Sequence, residues 1–275
     1  MKRTVIVAAM LLSCALTFAQ SSDDFLAKYQ RQVKMLGAAG VGVENIIDKW
    51  EQAFPEDGNM LEARFLYNYI KSQSTEVRAR NTEKYLGNKP ILTLKDSLDR
   101  DVFYFEETMF VDSLFAHAQN ALDKAIGLYP DDLQYRLDKI SSLCAYEKES
   151  PDLAYAELVK MIDRNTSAHP AWKFKGEDIS EDEFVDIVQE YCSSFFKIGT
   201  PNGYELFLAV SQKMNKLYPK NATFVGNIGS YWLVGQNNFK KAQSFYKKAL
   251  KLDPNDAATN RNMKVLQKKM AAGKK

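Results

Sequence analysis

The sequence predicts an all-α protein, a stack of antiparallel helix pairs broken by one irregular insertion. Three observations carry that expectation. Apolar residues recur with a period of about 3.6 over most of the chain, as on one face of a helix. Four prolines each stop an amphipathic stretch and are followed by acidic or amide residues. Strand-like alternation is almost absent outside one segment.

The first residues are read separately. Lys2 and Arg3 precede the apolar run Val5 to Leu12, and Ala15-Leu16-Thr17-Phe18-Ala19 follows with small residues at the end. That layout predicts a secretory signal peptide over residues 1–19, cut before Gln20. A second reading is a lipoprotein box, Leu11-Leu12-Ser13-Cys14, with Cys14 lipidated. Leu12 suits that pattern poorly, and the chain stays apolar beyond Cys14. Both readings predict export, to the periplasm or beyond the cell, or with a lipid anchor at Cys14. The apolar run is shorter than the roughly 20 residues a membrane span needs.

Export would leave residues 20–275 as one helical domain. Removing Lys2 and Arg3 from the 37 basic residues leaves 35, equal to the 35 acidic ones. A global charge argument for nucleic acid therefore fails, and no nucleic-acid partner is expected. The charge is unevenly placed, however. Lys240 to Lys275 holds eleven Lys or Arg against Asp253 and Asp256, a pattern that suits either an interaction tail or a solvated helical end. Cys144 and Cys192 lie in apolar helical patterns, where cysteine acts as a small core residue. Their spacing permits a bridge without demanding one.

Element by element, the first turn is Gly37-Ala38-Ala39-Gly40-Val41-Gly42, a flexible joint between two helices rather than a phosphate loop, since no strand precedes it. Val43, Ile46, Ile47, Trp50 and Phe54 then share one helical face. The first proline, Pro55, closes that helix, because proline cannot continue one and pushes its predecessor toward extended geometry. Residues 75–107 form the insertion. Beyond about Tyr85 no helical period remains, and Gly87-Asn88-Lys89-Pro90 signals a turn. Ile91 to Leu94 and Val102 to Phe105 are suited to pair as a short hairpin. An insertion of this kind is expected to emerge as an ordered loop on one face of the stack.

Leu114, Ala118, Ala121, Leu122, Ala125 and Leu128 form the next face, closed at Pro130. Ser180-Glu181-Asp182-Glu183 is a capping-box pattern that opens a helix whose apolar face carries Phe184, Ile187, Val188, Tyr191 and Phe195, with Ile179 just ahead. Phe207, Val210, Met214 and Leu217 continue to Pro219, and a final unit ends at Pro254. The prolines at 55, 130, 219 and 254 are 75, 89 and 35 residues apart. The last spacing is one repeat of about 34 residues, and the others fit two longer repeats each.

Asn221 to Asp256 reads NATFVGNIGSYWLVGQNNFKKAQSFYKKALKLDPND. It resembles a tetratricopeptide repeat (TPR) through Ser230, Leu233, Phe239, Ala242, Tyr246, Ala249 and Pro254. In that resemblance Ser230 and Ala242 let two helices approach while the aromatics fill gaps to neighbouring repeats. Gly226 and Gly229 depart from it, and the first helix is expected to fray or shift there. Residues 133–165 and 179–220 look like elongated versions, and 257–270 is expected to be a terminal helix capping the last repeat. The resemblance implies a right-handed TPR-like α-solenoid.

Chemistry finds little support. His117 and His169 lack His or Cys neighbours at metal-ligand spacing, and no Gly-x-Ser-x-Gly element occurs. Paired carboxylates such as Asp131-Asp132 sit at helix starts, where the helix dipole explains them. No catalytic residue, metal site or cofactor is expected, and the chain is not expected to be an enzyme. The TPR resemblance implies a scaffold that binds a protein or peptide in the bacterial envelope. Tyr135, Tyr146, Trp172, Phe174 and Tyr204, near turns or on mixed faces, are the expected partner-binding residues. The alternative is a carbohydrate- or nutrient-binding surface component that stacks sugars on exposed aromatics, and an enzyme assembled across helices is a third reading.

Overall fold

The computed structural model describes residues 20–272. The leader, the residue before the expected cleavage, Cys14 and the last three residues lie outside them. Eleven helices are present among the described residues, and they pack in consecutive antiparallel pairs. The all-α expectation holds. The chain divides into two compact units, residues up to Gln73 together with Val111–Tyr129, and Ser74–Phe110 together with Pro130 onward.

Unit 1 contains α1 (Ser22–Leu36), α2 (Val43–Ala53), α3 (Gly58–Lys71) and α4 (Asp112–Leu128). A capping box starts α1, with Ser21 and Asp24 satisfying each other's backbone amides. The glycine joint is real: Gly37 and Gly42 adopt φ of 82° and 83°, open to glycine at little cost. Trp50 is fully buried and stacked on Phe25. Its Nε1 donates to Ser22 Oγ (2.8 Å), and that hydroxyl donates to Asp57 Oδ2 (2.6 Å). Asp57 also caps α3 by accepting from Met60 N. The same carboxylate thus starts one helix and anchors two others. α3 and α4 pack most closely, around Ala118, Leu122 and Ala125, none of which is exposed. At the ends of these two helices the Val111 amide donates to the Ser72 carbonyl (2.8 Å), so the chain leaves and re-enters the pair at one point.

Unit 2 begins with that excursion. The segment read as a loop over 75–107 is a three-stranded sheet in the order β1-β3-β2, formed by β1 (Gln73–Arg80), β2 (Leu92–Lys95) and β3 (Asp101–Phe110). β2 and β3 pair antiparallel, Leu92 opposite Tyr104 and Leu94 opposite Val102, which is the hairpin expected from the runs Ile91 to Leu94 and Val102 to Phe105. β1 corrects the sequence reading. Its residues Gln-Ser-Thr-Glu-Val-Arg-Ala-Arg are nearly all exposed, so no buried face imprints a period of two on them.

The helices follow as α5 (Leu133–Glu147), α6 (Asp152–Ala168), α7 (Glu181–Ile198), α8 (Pro201–Leu217), α9 (Ala222–Val234), α10 (Phe239–Leu252) and α11 (Ala257–Ala272). A two-residue-strand hairpin, β4 (Lys173–Phe174) and β5 (Glu177–Asp178), separates α6 from α7. The expected box at Ser180 and Glu183 forms, with Glu183 Oε2 accepting from Ser180 N at 2.8 Å. All four proline sites separate consecutive helices. After three of them the cap is Asp57, Asp132 or Asn221, each bonding a backbone amide of the new helix. Leu128 and Leu217 are about two-fifths exposed, because each is the last residue of its helix, beyond the reach of its partner. Both described cysteines are free, and Cys192 is buried against Ser211, with burial pushing its thiol up to about 12. α9 starts cleanly at Ala222 despite Gly226 and Gly229, and α11 packs on both α9 and α10.

Candidate functional site

The five aromatics expected to bind a partner do not form one surface. Trp172 is 3% exposed, lies parallel to Phe184 with ring centres 5.8 Å apart, and donates its Nε1 to Asn165 Oδ1 (2.8 Å). Tyr135 is buried as well. Neither presents an open ring to a partner, and Trp172 fills space between Asn165 on α6 and Phe184 on α7, elements that the linear pattern did not show to be neighbours. Phe174, Tyr146 and Tyr204 are half-buried, and the last two pack on Phe110 and Phe196. Tyr135 and Tyr146 both lie on α5, about 16 Å apart at the rise of a helix. Trp50 and Trp172 thus offer no face to a sugar ring. Of the residues expected to pack the last repeat, Ala242, Tyr246 and Ala249 are fully buried and Ser230 and Leu233 nearly so, while Phe239 is half-buried and Pro254 lies exposed in its turn.

A cleft of about 560 Å³ lies instead in unit 1, walled by α2 and α4 and floored by α3, a size typical of ligand sites. Leu61, Arg64 and Asn68 are spaced three and four apart on α3 and so share one face. Leu114, His117, Ala121 and Lys124 make the matching stripe on α4, and Glu44 and Glu51 stand on α2. Arg64 Nη2 donates to Asp48 Oδ1 (2.6 Å) and Glu51 Oε2 (2.7 Å). Burial opposes the charge, but these two carboxylates outweigh it and hold the guanidinium above its ordinary range. The side chain is thereby fixed against the two carboxylates of α2. Lys124 Nζ is held by the Pro55 carbonyl at 2.6 Å.

Asn68 is the telling residue. It is 7% exposed, and its carboxamide lines the floor of the cleft one turn from Arg64. A carboxamide both donates and accepts, which suits a peptide group. The sequence signal was present but small: one asparagine within Phe65-Leu66-Tyr67-Asn68-Tyr69-Ile70. His117, which lacks metal-ligand neighbours in the sequence, is exposed and lines the cleft.

A smaller cavity in unit 2, about 220 Å³, lies between β3 and α5. Its charges already satisfy one another. Glu107, whose side chain is 2% exposed, accepts from Arg80 Nε (2.8 Å) and Nη2 (2.9 Å), with Lys148 Nζ at 3.6 Å. The Arg80 guanidinium covers the Tyr85 ring at 4.0 Å. This cluster ties sheet to helix. No group of three or more His, Cys, Asp or Glu among the described residues is placed to hold a metal.

No family model matches the chain, and no curated protein matches it. A solved structure, that of PilW, described as a widely conserved type IV pilus biogenesis factor, aligns with 91% of this chain and 94% of its own length, at 12% identity and a TM-score of 0.37.

Proposed function

We propose that the protein is an exported TPR-like scaffold that binds an extended segment of a partner polypeptide, and that the cleft of unit 1 is where it does so. The observation that carries this reading is that the Asn68 carboxamide lines the cleft beside the Arg64 guanidinium, which Asp48 and Glu51 hold in place. Together they present donors and an acceptor at the bottom of a cleft with apolar patches at Leu61, Leu114 and Ala121. A peptide backbone matches that alternation, and its side chains would meet the acidic wall of α2 and the Lys124 side of α4. The binding is non-covalent and calls for no cofactor.

The test is affinity capture with the chain from Gln20 onward as bait, beside Asn68→Ala and Arg64→Ala baits of unchanged circular dichroism. The captured partner should bind Asn68→Ala about fivefold more weakly, the cost of one neutral hydrogen bond of roughly 1 kcal/mol. Arg64→Ala should lose more, since its bonds are charge-assisted. Equal affinity for all three baits would remove the cleft from the binding role.

A further inference from the structure

Helices α10 and α11 carry nine basic residues and no acidic one. Every other helix that bears a basic residue also bears a carboxylate. The nine are exposed, and among the described residues none of them forms an ion pair. In the turn between the two helices Asp253 and Asp256 accept from the Asn255 and Thr259 amides. On α10, Lys240, Lys247 and Lys251 form one stripe opposite the buried Ala242, Tyr246 and Ala249. On α11, Arg261, Lys264 and Lys268 stand opposite the buried Thr259 and Leu266. Lys247 with Lys251, and Lys264 with Lys268, are like charges four residues apart, an arrangement that destabilises an isolated helix. A single glutamate in each stripe would reverse that effect, and none is present.

We propose that this face adsorbs electrostatically to a bilayer rich in anionic phospholipid. Clusters of basic residues on an amphipathic helix are suited to such surfaces. Here the apolar faces are already committed to the core, so adsorption is peripheral, without insertion. Three features select lipid over other polyanions. Eight of the nine residues are lysine, a compact point charge, whereas forked recognition of carboxylates and nucleic-acid phosphates favours arginine. The aromatic rings beneath them are covered, Trp232 by Lys241 Nζ at 3.8 Å and Phe245 by Lys248 Nζ at 5.1 Å, which removes the stacking faces that single-stranded nucleic acid uses. The charges also spread along two helices about 21 and 24 Å long at the helical rise, as an extended surface would require. No helix among the described residues is long and apolar enough to cross a membrane.

The experiment is vesicle sedimentation of the chain from Gln20 onward. Vesicles of phosphatidylcholine alone are compared with vesicles of equal parts phosphatidylcholine and phosphatidylglycerol. Binding is expected only to the second, and should fall as salt rises. Combining Lys240→Gln, Lys247→Gln and Lys251→Gln should lower the partition about fivefold per lysine, roughly a hundredfold in all. Those exposed changes relieve repulsion and should leave the helical spectrum intact. Lys28→Gln with Lys34→Gln, on α1, should change nothing. Asn68→Ala should also bind vesicles normally, which separates this face from the peptide cleft. Equal binding to both vesicles, or indifference to the triple substitution, would overturn the proposal. So would a duplex oligonucleotide or polyglutamate binding more tightly than the anionic vesicles through the same lysines.

Discussion

At Gly229 the lack of a side chain is what lets two helices touch. A Cβ built there would lie 2.6 Å from Tyr246 Cδ1, and one at Gly226 would lie 2.5 Å from Thr259 Oγ1. The sequence reading took both glycines as intrusions in the first helix of the repeat. They are the positions where α9 gives way to an aromatic ring on α10 and to the start of α11. Beside them Ser230 Oγ, Tyr246 OH and Asn262 Nδ2 form a chain of contacts at 3.2 and 3.1 Å that joins all three helices. Gly229→Ala should therefore overpack this junction and destabilise the protein by about 1–3 kcal/mol. Gly127→Ala is the counterpart. It lies exposed near the end of α4 with nothing within 4 Å of the added methyl group, so it should stabilise by roughly 0.5–1 kcal/mol. Urea denaturation of both variants checks the opposite signs. Two losses of equal size would mean that glycine at 229 answers to backbone geometry rather than to Tyr246.

Among the elements, the sheet depends most on charge. Hydrogen bonds from Arg80 pull the Glu107 carboxyl below its ordinary value of 4.5. Burial opposes them, and the positive charges of Arg80, Lys148 and Arg78 add to the lowering. A carboxylate whose pKa falls on folding stabilises the native state above its unfolded pKa, and that contribution fades as pH drops through the folded value. Hydrogen exchange of β1 to β3 should therefore lose protection only below pH 4.5. Glu107→Gln should cost about 1.5–3 kcal/mol at neutral pH, the worth of a hydrogen bond to a charged group, and should flatten this acid dependence. An unchanged pH profile in the variant would place the acid sensitivity elsewhere. The hairpin of β2 and β3 was legible because two short apolar runs, Ile91 to Leu94 and Val102 to Phe105, follow the turn signal Gly87-Asn88-Lys89-Pro90. β1 was not, because its contribution is a partner strand and the single cation, Arg80, that reaches Glu107.

Across the molecule, helices that contact mainly their neighbours should lose structure locally. Leu266 on α11 is fully buried in a cluster with Leu233, Ala242 and Tyr246. Leu266→Ala should cost about 2–5 kcal/mol, and exchange should accelerate first in α9 to α11 while α5 and α6 keep their protection. Uniform acceleration throughout unit 2 would show that its helices unfold as one block rather than pair by pair.

What the sequence by itself determined are the features that depend on a few adjacent residues. Helices end at Pro55, Pro130, Pro219 and Pro254 because proline lacks a donor and clashes with the preceding turn. They restart at Asp57, Asp132 and Asn221 because short polar side chains satisfy free amides. The all-basic character of the last two helices is also visible in the letters alone. Tertiary structure decided which side of each helix is covered, and so which residues remain available. Trp172 disappears beneath Phe184 and Asn165, while Arg64 and Asn68 face a cleft whose far wall comes from a helix some 50 residues later. Local propensity acts through bonded neighbours, whereas burial is set by whatever the fold brings alongside. Asn68 becomes a candidate site only because α2 and α4 bring the walls of the cleft alongside it.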